Sequence, residues 1–342
     1  MHVVLIALDS VGIDPLGHER PESIYADSAF LFPRGRADGP LPDAPVEGAL
    51  VETDVTGGED RGSIECAITY TTLFTGTDAV RAHGLVQGLG LREEVLDDLL
   101  AGDTLFRRFA PSAALANAIF PAHLPFLRGS YVEDLLPSFS REQVEARVTL
   151  RGEPVRLAGP DKHGLAELFT LAELNQNPFV LAALRAGVRL RTWDDVRAGR
   201  ALTSTLTHAL ERDLDLSLFD PTPLPARSVA EAAQVLADLS AEHRFVFYKY
   251  QLADLVSHTH RVELARETFA EIEAFVGALV RALPSGTRVV VTSDHGHLEQ
   301  VGFTRGHPKS RVPTWVFGPG AHAVAPALRE PAAIFAHVAS LS

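Results

Sequence analysis

Five short apolar runs punctuate the chain, at 3–8, 113–119, 244–250, 288–293 and 313–317. Each is continuous rather than alternating, which is the pattern of strands buried on both faces of a parallel sheet. Helical spacing fills the intervals. Ser228-Val-Ala-Glu231 reads as a capping box opening a helix that reaches about Glu242, because the hydroxyl and the carboxylate can each satisfy the other's backbone N–H. Ala265, Phe269, Ile272, Val276, Leu279 and Leu283 recur at three- and four-residue steps until Pro284 ends the pattern. Alternation of strand and helix predicts an α/β fold on a doubly wound, mostly parallel sheet.

Between about 121 and 220 the pattern changes. Glu145-Ala-Arg-Val-Thr-Leu-Arg-Gly-Glu-Pro-Val-Arg-Leu157 reads as a hairpin and Asp220-Pro-Thr-Pro-Leu-Pro225 as a stiff linker. The expected division is a core formed by 1–120 and 221–342 and a smaller inserted cap at 121–220, part of which, such as 190–215, can instead be helices on the core. The loop-like stretch 10–60 yields no assignment.

At 342 residues the chain suits one α/β core carrying a smaller domain. A 46% hydrophobic and 22% charged composition is globular, with no repeat or low-complexity block. The net charge of -13 leaves no basic stripe, which argues against nucleic acid as a partner. Cys66 is the only cysteine, so an intramolecular disulfide and a cysteine-based zinc cluster are both excluded. The first apolar run lacks a basic leader and is cut by Asp9, so it reads as a buried strand and not a signal peptide. No uninterrupted apolar stretch is long enough for a membrane span, and the cytoplasm is the default location.

The chemistry gathers where the predicted strands end. Asp9 follows the first run, Asp254 and His258 follow the third, Asp294 and His295 follow the fourth, and His307 lies just before the fifth. Singly, each reads as a helix cap, a turn residue or a core histidine. Jointly, at the ends of strands in one sheet, they are the residue types that a site for two divalent cations about 4 Å apart requires.

These segments resemble the alkaline phosphatase superfamily, and within it the branch of cofactor-independent phosphoglycerate mutases, phosphopentomutases and related metalloenzymes. Asp254-Leu-Val-Ser-His258-Thr is similar to the branch's Asp-x-Val-Gly-His-Thr, Asp294-His-Gly-His-Leu-Glu299 to its Asp-His-Gly-Asn-x-Glu, and His307-Pro-Lys-Ser-Arg-Val-Pro313 to its His-Thr-x-x-x-Val-Pro. The resemblance covers about 1–90 and 244–320 and says little of the middle. It implies one metal held by Asp254, His258 and His307, and a second held by Asp9, Asp294 and His295 together with a nucleophile. The family's nucleophile is a Ser or Thr that starts a helix ten residues before a Gly. Counting back from Thr75-Gly76 lands on Cys66, a thiol where the family has a hydroxyl.

Three readings of Cys66 follow. A thiolate at a helix N-terminus beside a dication has a lowered pKa and can attack phosphorus. Alternatively Cys66 only binds metal while a metal-bound water attacks, or the chain has lost catalysis and binds metal or senses a ligand. Sulfatase-type maturation is not expected, since Cys66-Ala-Ile-Thr-Tyr70 lacks the required Cys-x-Pro-x-Arg. Tyr70 and His297 replace a His and an Asn of the branch; His297, Arg305, Lys309 and Arg311 are candidate substrate contacts, each also readable as packing or a solvated loop. His260 and Glu299 are candidate supporting groups.

The expected enzyme is a binuclear hydrolase of phosphoric esters using Zn²⁺ or Mn²⁺, a thiolate ligand favouring Zn²⁺. Its partner is a small phosphorylated substrate. A phosphomutase is the nearest alternative; hydrolysis is preferred because the resembling mutases carry a larger inserted domain to grip their sugar acid. Oligomeric state cannot be read from these residues.

Overall fold

β1 (Val3–Leu8) is buried at all six positions and is flanked on both sides by parallel partners, β8 (Phe245–Tyr250) and β9 (Arg288–Ser293). The computed structural model that shows this describes residues 1–33, 38–56, 66–78, 81–82, 98–119, 141–155, 178–217, 220–304 and 307–342. β4 (Ala113–Leu115) extends the parallel set beyond β8. On the other side β10 (Val312–Phe317) runs antiparallel to β9, followed by β3 (Gly48–Thr53) and β2 (Gly39–Pro40), each antiparallel to its neighbour. The order is β2-β3-β10-β9-β1-β8-β4. Pro313 is tolerated in this sheet because β10 meets β9 only from Trp315 to Phe317, so the missing N–H interrupts no ladder there.

The helices that position the site are α1 (Cys66–Thr75), α2 (Pro178–Arg185), α3 (Val229–Glu242), α4 (Leu252–Ser257), α5 (Val262–Ala282) and α6 (Pro331–Ala339). Period-2 alternation divides the sheet's side chains between two cores. Val4, Ile6, Leu8, Tyr248, Val291 and Trp315 face the layer of α3 and α5. Val3, Leu5, Ala7, Phe245, Phe247 and Val290 face the layer of α1, α2 and α6. Both faces are covered, which is why the strands read as unbroken apolar runs. The capping box at Ser228 and Glu231 forms as expected, and α5 stops at Ala282 with Leu283 as its cap.

Three expectations need correction. The run at 113–119 is a strand only over Ala113–Leu115; Asn117 and Ala118 make single bridges to Leu202 and Arg191 instead. Glu145 and Arg147 lie on a short helix, Arg141–Arg147, because Glu and Arg favour helix over strand. The hairpin is confined to β5 (Thr149–Leu150) and β6 (Glu153–Pro154), around Arg151 and Gly152 with φ of 53° and 86°, the paired left-handed turn suited to strand twist. β7 (Leu214–Asp215) completes this small sheet. Finally, the stretch 10–60 is not simply loop: β2 and β3 lie in it.

Val148, Val155, Trp193, Val196, Leu214 and Leu224 form a satellite cluster that packs on Leu255 of α4. α2, by contrast, sits in the main layers, where Phe179 meets Tyr70 and Phe247. Among the described residues no helix is long and apolar enough to cross a membrane.

Candidate metal centre

The register carries the site. Ala7 pairs with Lys249 and Thr292, and Leu8 with Tyr250 and Ser293, so β9, β1 and β8 end at one level. Asp9, the Asp254 helix α4, and Asp294 to His297 therefore emerge side by side at the carboxyl edge, the usual binding edge of an open α/β sheet. His307 reaches the same edge from the opposite direction. It precedes its strand because β10 is antiparallel to β9.

Two groups of four donors result. In the first, atoms of Asp9, Cys66, Asp294 and His295 all lie within 4.8 Å of one another; in the second, those of Asp254, His258, His297 and His307 do. His295 Nε2 is 3.3 Å from Asp9 Oδ1, 3.9 Å from Asp294 Oδ2 and 3.2 Å from Cys66 Sγ. Asp254 Oδ1 is 3.5 Å from His258 Nε2 and 3.7 Å from His307 Nε2. The groups adjoin through the stacked rings of His295 and His307, 3.8 Å apart. Ser10, at φ 70°, also joins them: its hydroxyl donates to Asp254 and lies 3.2 Å from His295 Nδ1, while its N–H donates to Asp294.

Cys66 begins α1, whose buried Tyr70, Leu73 and Phe74 seat it on the sheet while Thr69 Oγ1 donates to the Asp294 carbonyl at 2.9 Å. Gly76 ends the helix at φ 70°, and a Cβ there would stand 2.4 Å from the Phe335 ring of α6. Both facts require glycine. The ten-residue spacing from Cys66 to Gly76 is thus the length of one packed helix.

The electrostatics are those of a cation site. Burial and the charge of Asp9 push the Asp294 carboxyl up to about 6. Burial also opposes ionisation of Asp9 and Asp254, yet both stay below the ordinary carboxylate value, Asp9 because of Lys249 and Asp254 because of its hydrogen bond to His258 and the surrounding imidazoles. Burial disfavours a charged His295, but Asp294, Asp9 and Asp254 carry it up to about 10. Burial and the neighbouring His258 push His297 down to about 4, leaving it a neutral donor. Asp294 Oδ2 and both His297 ring nitrogens are buried without a hydrogen bond among the described residues. Two carboxylates, an imidazole and a thiol, beside a carboxylate and three imidazoles, fit a pair of divalent cations.

All seven predicted ligands, Asp9, Cys66, Asp254, His258, Asp294, His295 and His307, fall in these two groups. His297, a candidate substrate contact, lies beside the Asp254 group, a ring nitrogen within 4.8 Å of its other donor atoms. Glu299 supports it: one carboxylate oxygen accepts the N–H of His297 and of Gly12, each at 2.9 Å, and burial pushes the carboxyl up to about 7. Arg311 is 3.4 Å from Glu52 on β3, and Lys309 is exposed. His260 is exposed, and Arg305 lies outside the described residues. Sequence reasoning passed over Lys249, whose Nζ is 2.7 Å from Asp9 Oδ2. A lone lysine inside Phe-Val-Phe-Tyr-Lys-Tyr was the signal, because a buried charge in a two-faced strand requires a partner.

Residues 224–341 match the family model described as the Metalloenzyme superfamily. Over 114 residues the chain is 33% identical to the 2,3-bisphosphoglycerate-independent phosphoglycerate mutase of Rhodopirellula baltica, a match that takes in 31% of this chain and only 21% of that relative's length. Among solved structures, a Pyrococcus horikoshii protein aligns over 100% of this chain and 98% of its own, with TM-score 0.50 and 15% identity. Alkaline phosphatase from the Antarctic bacterium TAB5 aligns over 99% of this chain and 97% of its own, with TM-score 0.43 and 11% identity. The fold is an α/β one shared over its whole length with the Pyrococcus horikoshii protein, and the stretch that matches the Metalloenzyme superfamily model, residues 224–341, carries Asp254, His258, Asp294, His295 and His307.

Proposed function

We propose that the chain is a binuclear metal-dependent hydrolase of small phosphoric esters in which Cys66 attacks phosphorus. The observation that carries this reading is the position of Cys66 Sγ: at the first residue of α1, 3.2 Å from His295 Nε2 and 3.8 Å from Asp9 Oδ1. Asp9, Asp294, His295 and Cys66 would hold one cation and the Asp254 group the other. When bound, the two ions would lower the thiol's pKa and stabilise negative charge on the phosphoryl and departing oxygens.

The chain's own residues supply the rest. α1 directs the positive end of its dipole from the Cys66 end toward an arriving phosphate. The Cys66 thiolate forms the S–P bond as the P–O bond to the alcohol breaks, and the alcohol leaves with a proton from solvent. Water then displaces sulfur from phosphorus, releasing phosphate and regenerating the thiolate. Lys249 holds Asp9 in place from behind. The small sheet β6-β5-β7 and its satellite cluster rest on α4, and we assign this part of 121–220 the role of a cap over the substrate.

A phosphomutase is the second reading, favoured by the match to the Rhodopirellula baltica enzyme. Metal analysis of the purified protein and a panel of phosphate monoesters and diesters separate the two. Release of inorganic phosphate, abolished by Asp294→Ala, supports hydrolysis; relocation of phosphate on a sugar acid without release supports the mutase. Stoichiometric metal with neither activity overturns both.

A further inference from the structure

We propose that His297 is a direct ligand, so that the Asp254 group is a closed four-donor site of one carboxylate and three imidazoles. This rests on reading the two groups as cation sites and not on the hydrolase reading. His297 is fully buried, and a ring nitrogen lies within 4.8 Å of the donor atoms of Asp254, His258 and His307. Its ring centroid is 4.7 Å from that of His258 and 5.7 Å from that of His307.

A metal-ligating histidine gives one ring nitrogen to the ion and donates the other N–H to a carboxylate, a carbonyl or water. His297 has room for both roles: among the described residues no side chain takes either ring nitrogen, and the Thr304 backbone lies beside the ring. Such a ring is costly to bury unless something takes its remaining lone pair. Its backbone is held by the 2.9 Å bond to Glu299, so the fold aims the ring into the Asp254 group.

One carboxylate and three imidazoles leave no open vertex on a four-coordinate ion. This donor set selects Zn²⁺, or Co²⁺ as its spectroscopic substitute, over the oxygen-preferring Mn²⁺ and Mg²⁺. The ion there is therefore the first to load and the harder to remove. The Cys66 group also has four donors, but one of them is a half-buried thiol, so it is the group more accessible to exchange.

The test uses metal-stripped full-length protein titrated with Co²⁺. The first equivalent should give the intense visible bands of four-coordinate Co²⁺ without a sulfur-to-metal charge-transfer band, and X-ray absorption should count three imidazoles on it. The charge-transfer band from Cys66 should come with the second equivalent. In His297→Asn the imidazole count of the first ion falls to two and its affinity drops by more than about tenfold. The second-equivalent band persists, showing that the fold and the Cys66 group survive. A wild-type-like imidazole count in His297→Asn, or a charge-transfer band with the first equivalent, overturns the proposal even if affinity falls. No Co²⁺ uptake at all overturns the cation reading and this proposal with it, whatever the esterase assays show.

Discussion

Lys249 Nζ lies 2.7 Å from Asp9 Oδ2, while the other oxygen of the same carboxylate faces His295 Nε2 at 3.3 Å and Cys66 Sγ at 3.8 Å. One oxygen is thus tied to a strand lysine and the other is left for the ligand group. Lys249 also packs over the Tyr70 ring, 5.3 Å from its centroid. Lys249→Met keeps the stem and removes the charge. Asp9 is then a buried carboxylate without its counterion, and breaking a buried pair this way costs about 3 kcal/mol. The metal-free variant should melt below the metal-free wild type, and Zn²⁺ should recover most of the loss because it supplies the missing positive charge. Calorimetry of both proteins with and without Zn²⁺ checks this; a deficit that Zn²⁺ leaves untouched would mean that Lys249 only packs.

Without metal the site should also make the protein alkali-sensitive. The Asp294 carboxyl is raised from 3.8 to about 6, so its protonated form contributes stability that is complete below pH 3.8 and lost as the pH passes through 6. His295 is raised from 6.5 to about 10, so its charged form stabilises the fold below pH 6.5 and that contribution is lost as the pH climbs toward 10. Asp9 and Asp254, whose values are lowered, act in the opposite sense and matter only as the pH falls below the ordinary carboxylate range. His297, pushed down to about 4, acts against Asp294, because its neutral form stabilises the fold fully above pH 6.5 and that contribution is lost as the pH falls toward 4. The two offset each other at acid pH, so metal-free protein should lose stability mainly from about pH 6.5 to pH 10, through His295. Bound Zn²⁺ replaces these protons, so the holo-protein should be flat or rise over the same window. Denaturation midpoints at intervals across that window decide it.

The strands were legible because a sheet covered on both faces forces each of them to be apolar throughout, and the ligands because an α/β sheet collects its chemistry at the carboxyl edge. What escaped was three-dimensional. β3 has only Ala49, Leu50 and Val51 between Gly48 and Glu52, too short a run to announce a strand that the β10 ladder then creates. His297 sits two residues after a candidate ligand, and the turn that brings it beside the Asp254 group depends on Glu299 and Gly12. Lys249 looked like any lysine until the β1 and β8 register set it opposite Ala7, beside Asp9.

Gly12 tests that turn. A Cβ at this position would stand 2.4 Å from the Glu299 carboxyl group, whose oxygen also holds the N–H of His297. Gly12→Ala must displace Glu299, at the cost of about 1–3 kcal/mol typical of overpacking. The displacement passes to His297, so the more tightly held metal should weaken as well. Urea unfolding gives the first effect and competition with a chelator gives the second. Unchanged chelator resistance in a destabilised protein would show that Glu299 holds the loop but not the ligand.

Cys66 separates attack by sulfur from attack by water. If the thiolate is the nucleophile, Cys66→Ala should lower phosphate release by at least about 10³-fold, in keeping with loss of a covalent nucleophile. Cys66→Ser should keep some activity, since a hydroxyl at the N-terminus of α1 is still close to the Asp9 group. The wild type, quenched during turnover, should carry a phosphoryl group on the peptide spanning Cys66. Mass spectrometry at neutral pH reads this directly, and the adduct should be absent from Asp294→Ala. Were Cys66→Ala to turn over at a rate near the wild type's, with no adduct on the native peptide, water would be the attacking group and the sulfur only a ligand. The same pair of variants separates metal retention from chemistry: Cys66→Ala removes one of four donors from the Asp9 group and none from the Asp254 group, so only one of the two ions should be lost more readily.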